Sequence, residues 1–192
     1  MQLFLIGPSG SGKDTQAKLI SQCYNLKWFS IGEVLRDKAK ENSEQGQYIQ
    51  HSIDSGNLLD WAHLEPIIFQ EITNRPKNFI WTGFPRLISQ AKHLDHLISE
   101  INGNLDLVIN LTLPEDITKA RIENRKNSNE NVRQDDLNIE YVERRLSWYH
   151  ESIHDIKSYY LASNRLIEID ASLGIQEVFK TICDKINSRF NI

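Results

Sequence analysis

The sequence predicts an α/β fold, a three-layer sandwich around a central five-stranded parallel sheet, and three observations carry that expectation. Five short apolar runs, Gln2–Ile6, Leu26–Phe29, Phe79–Thr82, Leu105–Leu111 and Leu166–Ile169, have the length and composition of buried strands. Amphipathic helical stretches separate them, the alternation from which parallel sheets are built. The first run passes directly into Gly7-Pro8-Ser9-Gly10-Ser11-Gly12-Lys13-Asp14-Thr15, a glycine-rich turn that opens a helical pattern.

The helices announce themselves in order. Ser30-Ile31-Gly32-Glu33 has capping-box spacing, so a helix is expected from near Ile31 toward Glu41. Pro114-Glu115-Asp116 places a proline and two acids in a first turn and opens a helix toward Arg125. Ile139, Val142, Leu146, Tyr149, Ile153, Ile156 and Tyr160 recur at steps of three and four, which predicts one long helix with a buried stripe. Trp148 flanks that stripe and, with Trp28, Trp61 and Trp81, reads as packing rather than as a binding platform. The segment 125–137 is the least apolar, has no hydrophobic period and is expected to be an exposed, mobile loop.

Bulk properties narrow the class. A chain of 192 residues suits one domain, 1–192, with smaller inserted lobes. A formal net charge of -4 argues against a general nucleic-acid binder. Cys23 and Cys183 are the two cysteines and read as reduced thiols rather than as a bridge or metal ligands. No stretch approaches the roughly 20 apolar residues that cross a bilayer, and the first residues enter a strand without the pattern of a signal peptide. The expectation is a soluble, cytoplasmic protein with no membrane or nucleic-acid partner.

The spacing Gly-x-x-x-x-Gly-Lys is that of a P-loop. An ordinary strand-to-helix connection is the plainer alternative, but the strand before and the helix after are the context a true loop requires. Such a turn aims several main-chain N–H groups and a helix N-terminus at one point, an arrangement suited to a phosphate chain. A nucleoside triphosphate is the ligand class it implies. A second motif, Gly83-Phe84-Pro85-Arg86, follows the third strand, and ligands of doubly wound sheets gather at the carboxyl ends of strands.

Together with the P-loop and Gly32–Arg36, this motif resembles the adenylate kinase branch of the nucleoside monophosphate kinases, and the resemblance runs through nearly the whole chain. Gly7–Gln16 is similar to the family's phosphate loop. Ser30–Arg36, Asp54-Ser55-Gly56-Asn57-Leu58-Leu59 and Gly83–Arg86 with Gln90 are similar to its acceptor-nucleotide segments. Arg121 and Arg125 match arginines at the start of the lid, Arg133-Gln134-Asp135-Asp136 resembles its close, and Arg145 matches an arginine on the following helix, with Arg144 as a rival. The resemblance implies a lobe for the monophosphate at 31–60 and a short lid at 126–136. That lid holds no cysteine, so the family's structural zinc is not expected.

The resemblance also implies roles. Gly10, Ser11, Gly12 and Lys13 would hold the donor's terminal phosphates, and Thr15 its α-phosphate. Arg36 and Arg86 would grip the acceptor phosphate, and Arg121, Arg125, Arg133 and Arg145 would surround the migrating group. Ile31, Ile53, Asn57, Leu59, Gly83 and Gln90 would lie along the acceptor, with the donor adenine on Arg121 near Leu173. The reaction implied is magnesium-dependent transfer from ATP to AMP in a monomer. CMP, UMP or GMP as acceptor, or a nucleotide-binding regulator with weakened catalysis, are the alternatives.

Three positions depart from the family pattern. Thr82 stands where the pattern has an aspartate that anchors magnesium through its waters, Asp14 where it has glycine, and Ile31 where it has a threonine associated with AMP. A carboxylate beside the donor phosphates is unfavourable alone: at ~5 Å and an effective dielectric near 20, each unit charge repels by about 3 kcal/mol. A bound cation reverses that sign. Two readings of Asp14 are therefore open, a metal carboxylate relocated from position 82 and an acid that favours the helix dipole.

Overall fold

A computed structural model describes residues 1–74, 77–101, 103–127 and 138–192, with Asn127 described in its main chain. The chain runs β1 (Gln2–Ile6), α1 (Lys13–Cys23), β2 (Lys27–Ser30), α2 (Ile31–Ala39), α3 (Glu44–Asp54), α4 (Trp61–Thr73), β3 (Phe79–Thr82), α5 (Ile88–Glu100), β4 (Leu107–Thr112), α6 (Glu115–Asn127), α7 (Ile139–Ala162), β5 (Leu166–Asp170) and α8 (Ile175–Phe190). The strands form one parallel sheet in the order β2-β3-β1-β4-β5. The expected five-stranded architecture is the one observed.

Alternation along the strands separates two cores, because successive side chains of a strand point to opposite faces. Phe4, Ile6, Phe79 and Trp81 pack with Ile67, Ile68, Leu94, Ile156 and Tyr160 of α4, α5 and α7. Leu3, Leu5, Ile80 and Ile109 pack with Ala17 and Ile20 of α1 and with Val178 and Ile182 of α8. Trp81 is wholly buried, stacked on Phe4 and tilted against Phe29, so it serves as core. Both thiols are free, Cys23 at the surface and Cys183 half-buried. Among the described residues, no helix is long and apolar enough to cross a membrane.

Several expectations need correction. β4 begins at Leu107, although Leu105 is buried, because an apolar run marks burial and not pairing. Ser30 occupies the N-cap of α2 but makes no side-chain cap bond, so the capping-box spacing locates the helix without its hydrogen bonds. Ile139 opens α7 exposed rather than within the stripe. α6 continues through Asn127, so residues 125–127 are helical and not loop. The rest of that expected loop, most of the lid and Arg133 lie outside the described residues.

Candidate active site

β1 is the central strand, and its carboxyl end feeds the glycine-rich loop into the middle of the sheet edge. There Gly7 has φ +146°, and a Cβ on it would lie 2.6 Å from the carbonyl oxygen of Leu111. Only glycine lets the loop lie this close to β4. Gly12, at φ 83° and ψ 16°, is the N-cap of α1 in a left-handed conformation. The Lys13 ammonium folds over the loop and donates to the carbonyls of Gly7 at 2.8 Å and Pro8 at 2.7 Å. A cation and a helix N-terminus thus converge where anions are stabilised.

Facing the loop is the turn after β3. Leu5 pairs with Thr82, so Gly83-Phe84-Pro85-Arg86 begins level with the end of β1. The Phe84–Pro85 peptide is cis. Arg86 Nε donates to the Gly83 carbonyl at 3.0 Å, and the Gly83 N–H reaches Leu5 O at 3.4 Å. Both polar main-chain groups of Gly83 are therefore engaged within the protein. Arg36 lies one helical turn beyond Gly32, and a Cβ at Gly32 would come within 3.3 Å of its guanidinium. The glycine leaves room for the arginine.

These pieces enclose one cleft of about 180 Å³. Lys13 and Asp14 line it from the loop end of α1, Arg36 from α2, Arg86 and Gln90 from the turn after β3 and α5, and Arg145 from α7. Ile31, Ile53, Asn57, Leu59 and Gly83 also line it. The rival Arg144 instead donates to the Ser55 carbonyl at 2.5 Å and tethers α7 to the segment after α3. Trp148, expected as packing, lines the cleft beside Tyr149, whose phenol burial pushes up to about 12. No sequence signal distinguishes a cleft-facing tryptophan from a core one on an amphipathic helix.

The other expected residues lie outside the cleft wall. Gly10, Ser11, Gly12 and Thr15 sit in the loop and the first turn of α1, with Ser11 buried and Thr15 exposed. Gly10 backs onto α6, where its Cβ would stand 3.7 Å from Arg121 Cβ. Arg121 Nη2 donates to Ser172 O at 3.3 Å, which joins α6 to the loop carrying the half-exposed Leu173. Arg125 lies one turn further along α6, partly buried.

A model of the adenylate kinase family matches residues 5–165. The chain belongs to the adenylate kinase family. It is 36% identical to an adenylate kinase of Azobacteroides pseudotrichonymphae across 99% of both chains. It is 32% identical to one of Bartonella tribocorum, across 95% of this chain and 97% of that one. A third, from Syntrophomonas wolfei, is 30% identical across 98% of this chain and its own full length. Membership in the adenylate kinase family makes the chain a nucleoside monophosphate kinase, a phosphotransferase.

Against that family background, the two exchanged positions meet. The buried Thr82 Oγ1 donates at 2.6 Å to Oδ1 of Asp14, which lines the cleft. Among the described residues, no group of three or more His, Cys, Asp or Glu could hold a metal ion by itself. Magnesium is commonly held by one or two carboxylates, waters and substrate phosphates. A single carboxylate beside a phosphate loop fits that chemistry.

Proposed function

We propose that the chain catalyses reversible transfer of the γ-phosphoryl group of ATP to AMP, giving two ADP, with magnesium accompanying ATP. The observation that carries this reading is the shared cleft, in which Lys13 and Arg86 line one cavity together with Arg36 and Arg145. Two anionic tails brought head to head there meet fixed cations from three sides. Phosphoryl transfer asks chiefly for positioning and for neutralisation of charge on the equatorial oxygens.

On this reading Lys13 and the N–H groups of the loop hold the donor's terminal phosphates, and Thr15 contacts the α-phosphate. Arg36 and Arg86 grip the acceptor phosphate, whose geometry suits a guanidinium fork. Arg121, Arg125, Arg133 and Arg145 gather round the migrating group. No general base is required, because the acceptor phosphate is already anionic. Magnesium, when bound, neutralises phosphate charge and orients the donor. Residues 31–60 act as the acceptor lobe and 126–136 as the lid, and their closure keeps water from accepting the phosphoryl group.

A second reading, the same chemistry on CMP, UMP or GMP, is favoured by one observation. Ile31 buries an alkyl side chain against Gly83, with no hydroxyl to bond a base. A coupled assay across AMP, GMP, CMP, UMP and dTMP, with magnesium and with chelator, tests both. The expected result is the highest kcat/KM with AMP and loss of turnover on chelation. Another monophosphate ahead of AMP selects the second reading, and ATP binding without turnover on any acceptor overturns both.

A further inference from the structure

We infer that Asp14 supplies the carboxylate that orders the water shell of the donor's magnesium, in place of the one missing at position 82, and that Thr82 is the positioning residue that holds it. The inference rests on the phosphoryl-transfer reading and deepens it. Thr82 ends β3 with no exposed surface, so its hydroxyl needs an acceptor inside the protein. That acceptor is Asp14 Oδ1, at 2.6 Å, on a residue that lines the cleft beside Lys13.

The short distance couples the two positions. Carboxylates at both 14 and 82 would stand side by side, and like charges so close force one of them to keep a proton. The site therefore accommodates one ionised carboxylate, delivered either from the end of β3 or from the first turn of α1. In this chain it comes from α1, and the hydroxyl left at position 82 fixes its orientation. An acid that only complements the helix N-terminus would need neither the cleft nor a buried hydroxyl 68 positions away in sequence.

The test is the magnesium coupling of ATP binding, the ratio of ATP Kd in EDTA to ATP Kd in magnesium, measured by calorimetry on the full chain. Asp14→Gly and Asp14→Asn are each expected to reduce that ratio about tenfold, as loss of a supporting group around a metal commonly does. Thr82→Val should reduce it by a smaller factor of about three in the parent chain and leave it unchanged once Asp14 is gone. Thr82→Asp in the Asp14→Gly background should restore it to within about twofold. Mn²⁺ in place of magnesium, followed by its EPR signal with ATP present, should lose affinity in the same order. A role confined to the helix end lowers Tm in the Asp14 variants and leaves the ratio intact, which overturns the inference. Equal ATP affinity with and without magnesium in the parent chain overturns it as well. No acceptor enters this experiment, so its failure leaves the kinase reading standing, and an acceptor panel without turnover leaves the coupling measurable.

Discussion

The main-chain N–H of Arg86 donates to Gln90 Oε1 at 2.8 Å, so the residue proposed to hold the acceptor phosphate and one expected to lie along the acceptor form one unit. The bond also fixes which way the Gln90 amide points, because only its oxygen accepts an N–H. The NH2 group is then the part of the amide left to meet a ligand in the cleft that Gln90 lines. Gln90→Ala removes both functions and leaves a partly buried N–H unpaired, a loss of about 1 to 3 kcal/mol. Acceptor KM should rise about tenfold or more. Gln90→Glu keeps the bond to Arg86 but replaces the amide donor with an acceptor, so thermal stability should hold while acceptor preference changes. Steady-state kinetics beside melting curves separate the two, and equal effects of both variants on Tm would refute the shared role.

Ile31 is 2% exposed, and its Cγ2 would lie 3.2 Å from a Cβ on Gly83. Ile31→Thr introduces a hydroxyl at the wall of the cleft in exchange for apolar packing. The lost packing and a buried hydroxyl should lower stability by about 1 to 2 kcal/mol. Discrimination by a hydrogen-bonding group exceeds that by an alkyl contact, so AMP should gain over the other monophosphates by about tenfold in kcat/KM. An unchanged ranking across the acceptor panel would show that Ile31 does not face the base.

The parts of this site legible in the sequence are those where backbone geometry demands a residue type. Gly7, Gly12 and Gly83 hold positive φ at turns that the spacing alone locates. What the sequence withholds is the choice among neighbours on a helix. Arg144 and Arg145 differ by about 100° in direction, and only packing sends one to Ser55 and the other to the cleft. Trp148 turned toward the cleft for the same reason, since a hydrophobic period marks a buried stripe without saying what lies beside it. The exchanges at 14 and 82 were visible as one gain and one loss of charge, while their contact is a product of the parallel register that sets Leu5 against Thr82.

Asp60 caps α4 and ties it to α3. Its Oδ1 accepts from the His63 N–H at 3.0 Å and contacts His63 Nδ1 at 2.7 Å, and its Oδ2 accepts from Tyr48 Oη at 2.8 Å. The His63 side chain first, then the His63 N–H and Tyr48, hold the carboxyl down from 3.8 to about 2. A folded value below the unfolded one means that the contribution is fully present above the unfolded value and is lost as pH falls through the folded value. Stability of the parent chain should therefore decline between about pH 4 and pH 2 more steeply than that of Asp60→Asn, which still caps the helix. Urea midpoints at a series of pH values check this, and parallel curves would remove Asp60 from the acid response.

Asp95 on α5 gathers three donors, one from Tyr159 on α7 and two from Arg165 in the α7–β5 connection. Arg165 Nη1 reaches Oδ1 at 3.0 Å, Arg165 Nη2 bonds Oδ2, and Tyr159 Oη donates to Oδ2 at 2.9 Å. The Asp95 side chain is 18% exposed and that of Arg165 is 22%, so solvent screens the pair little. Removing one partner leaves the other charge desolvated without its counterpart, which is worse than losing both. Asp95→Ala should cost about 2 to 4 kcal/mol, read as a lower urea midpoint at unchanged m. The double variant Asp95→Ala with Arg165→Met should recover part of that loss, because it replaces the stranded guanidinium, whose Cζ lies 5.2 Å from the Tyr160 ring centroid, with an unbranched apolar side chain. Neither residue lines the cleft, so kcat with the preferred acceptor should stay within about twofold of the parent chain. If the single and double variants melt alike, the ion pair is not what joins α5 to the end of α7.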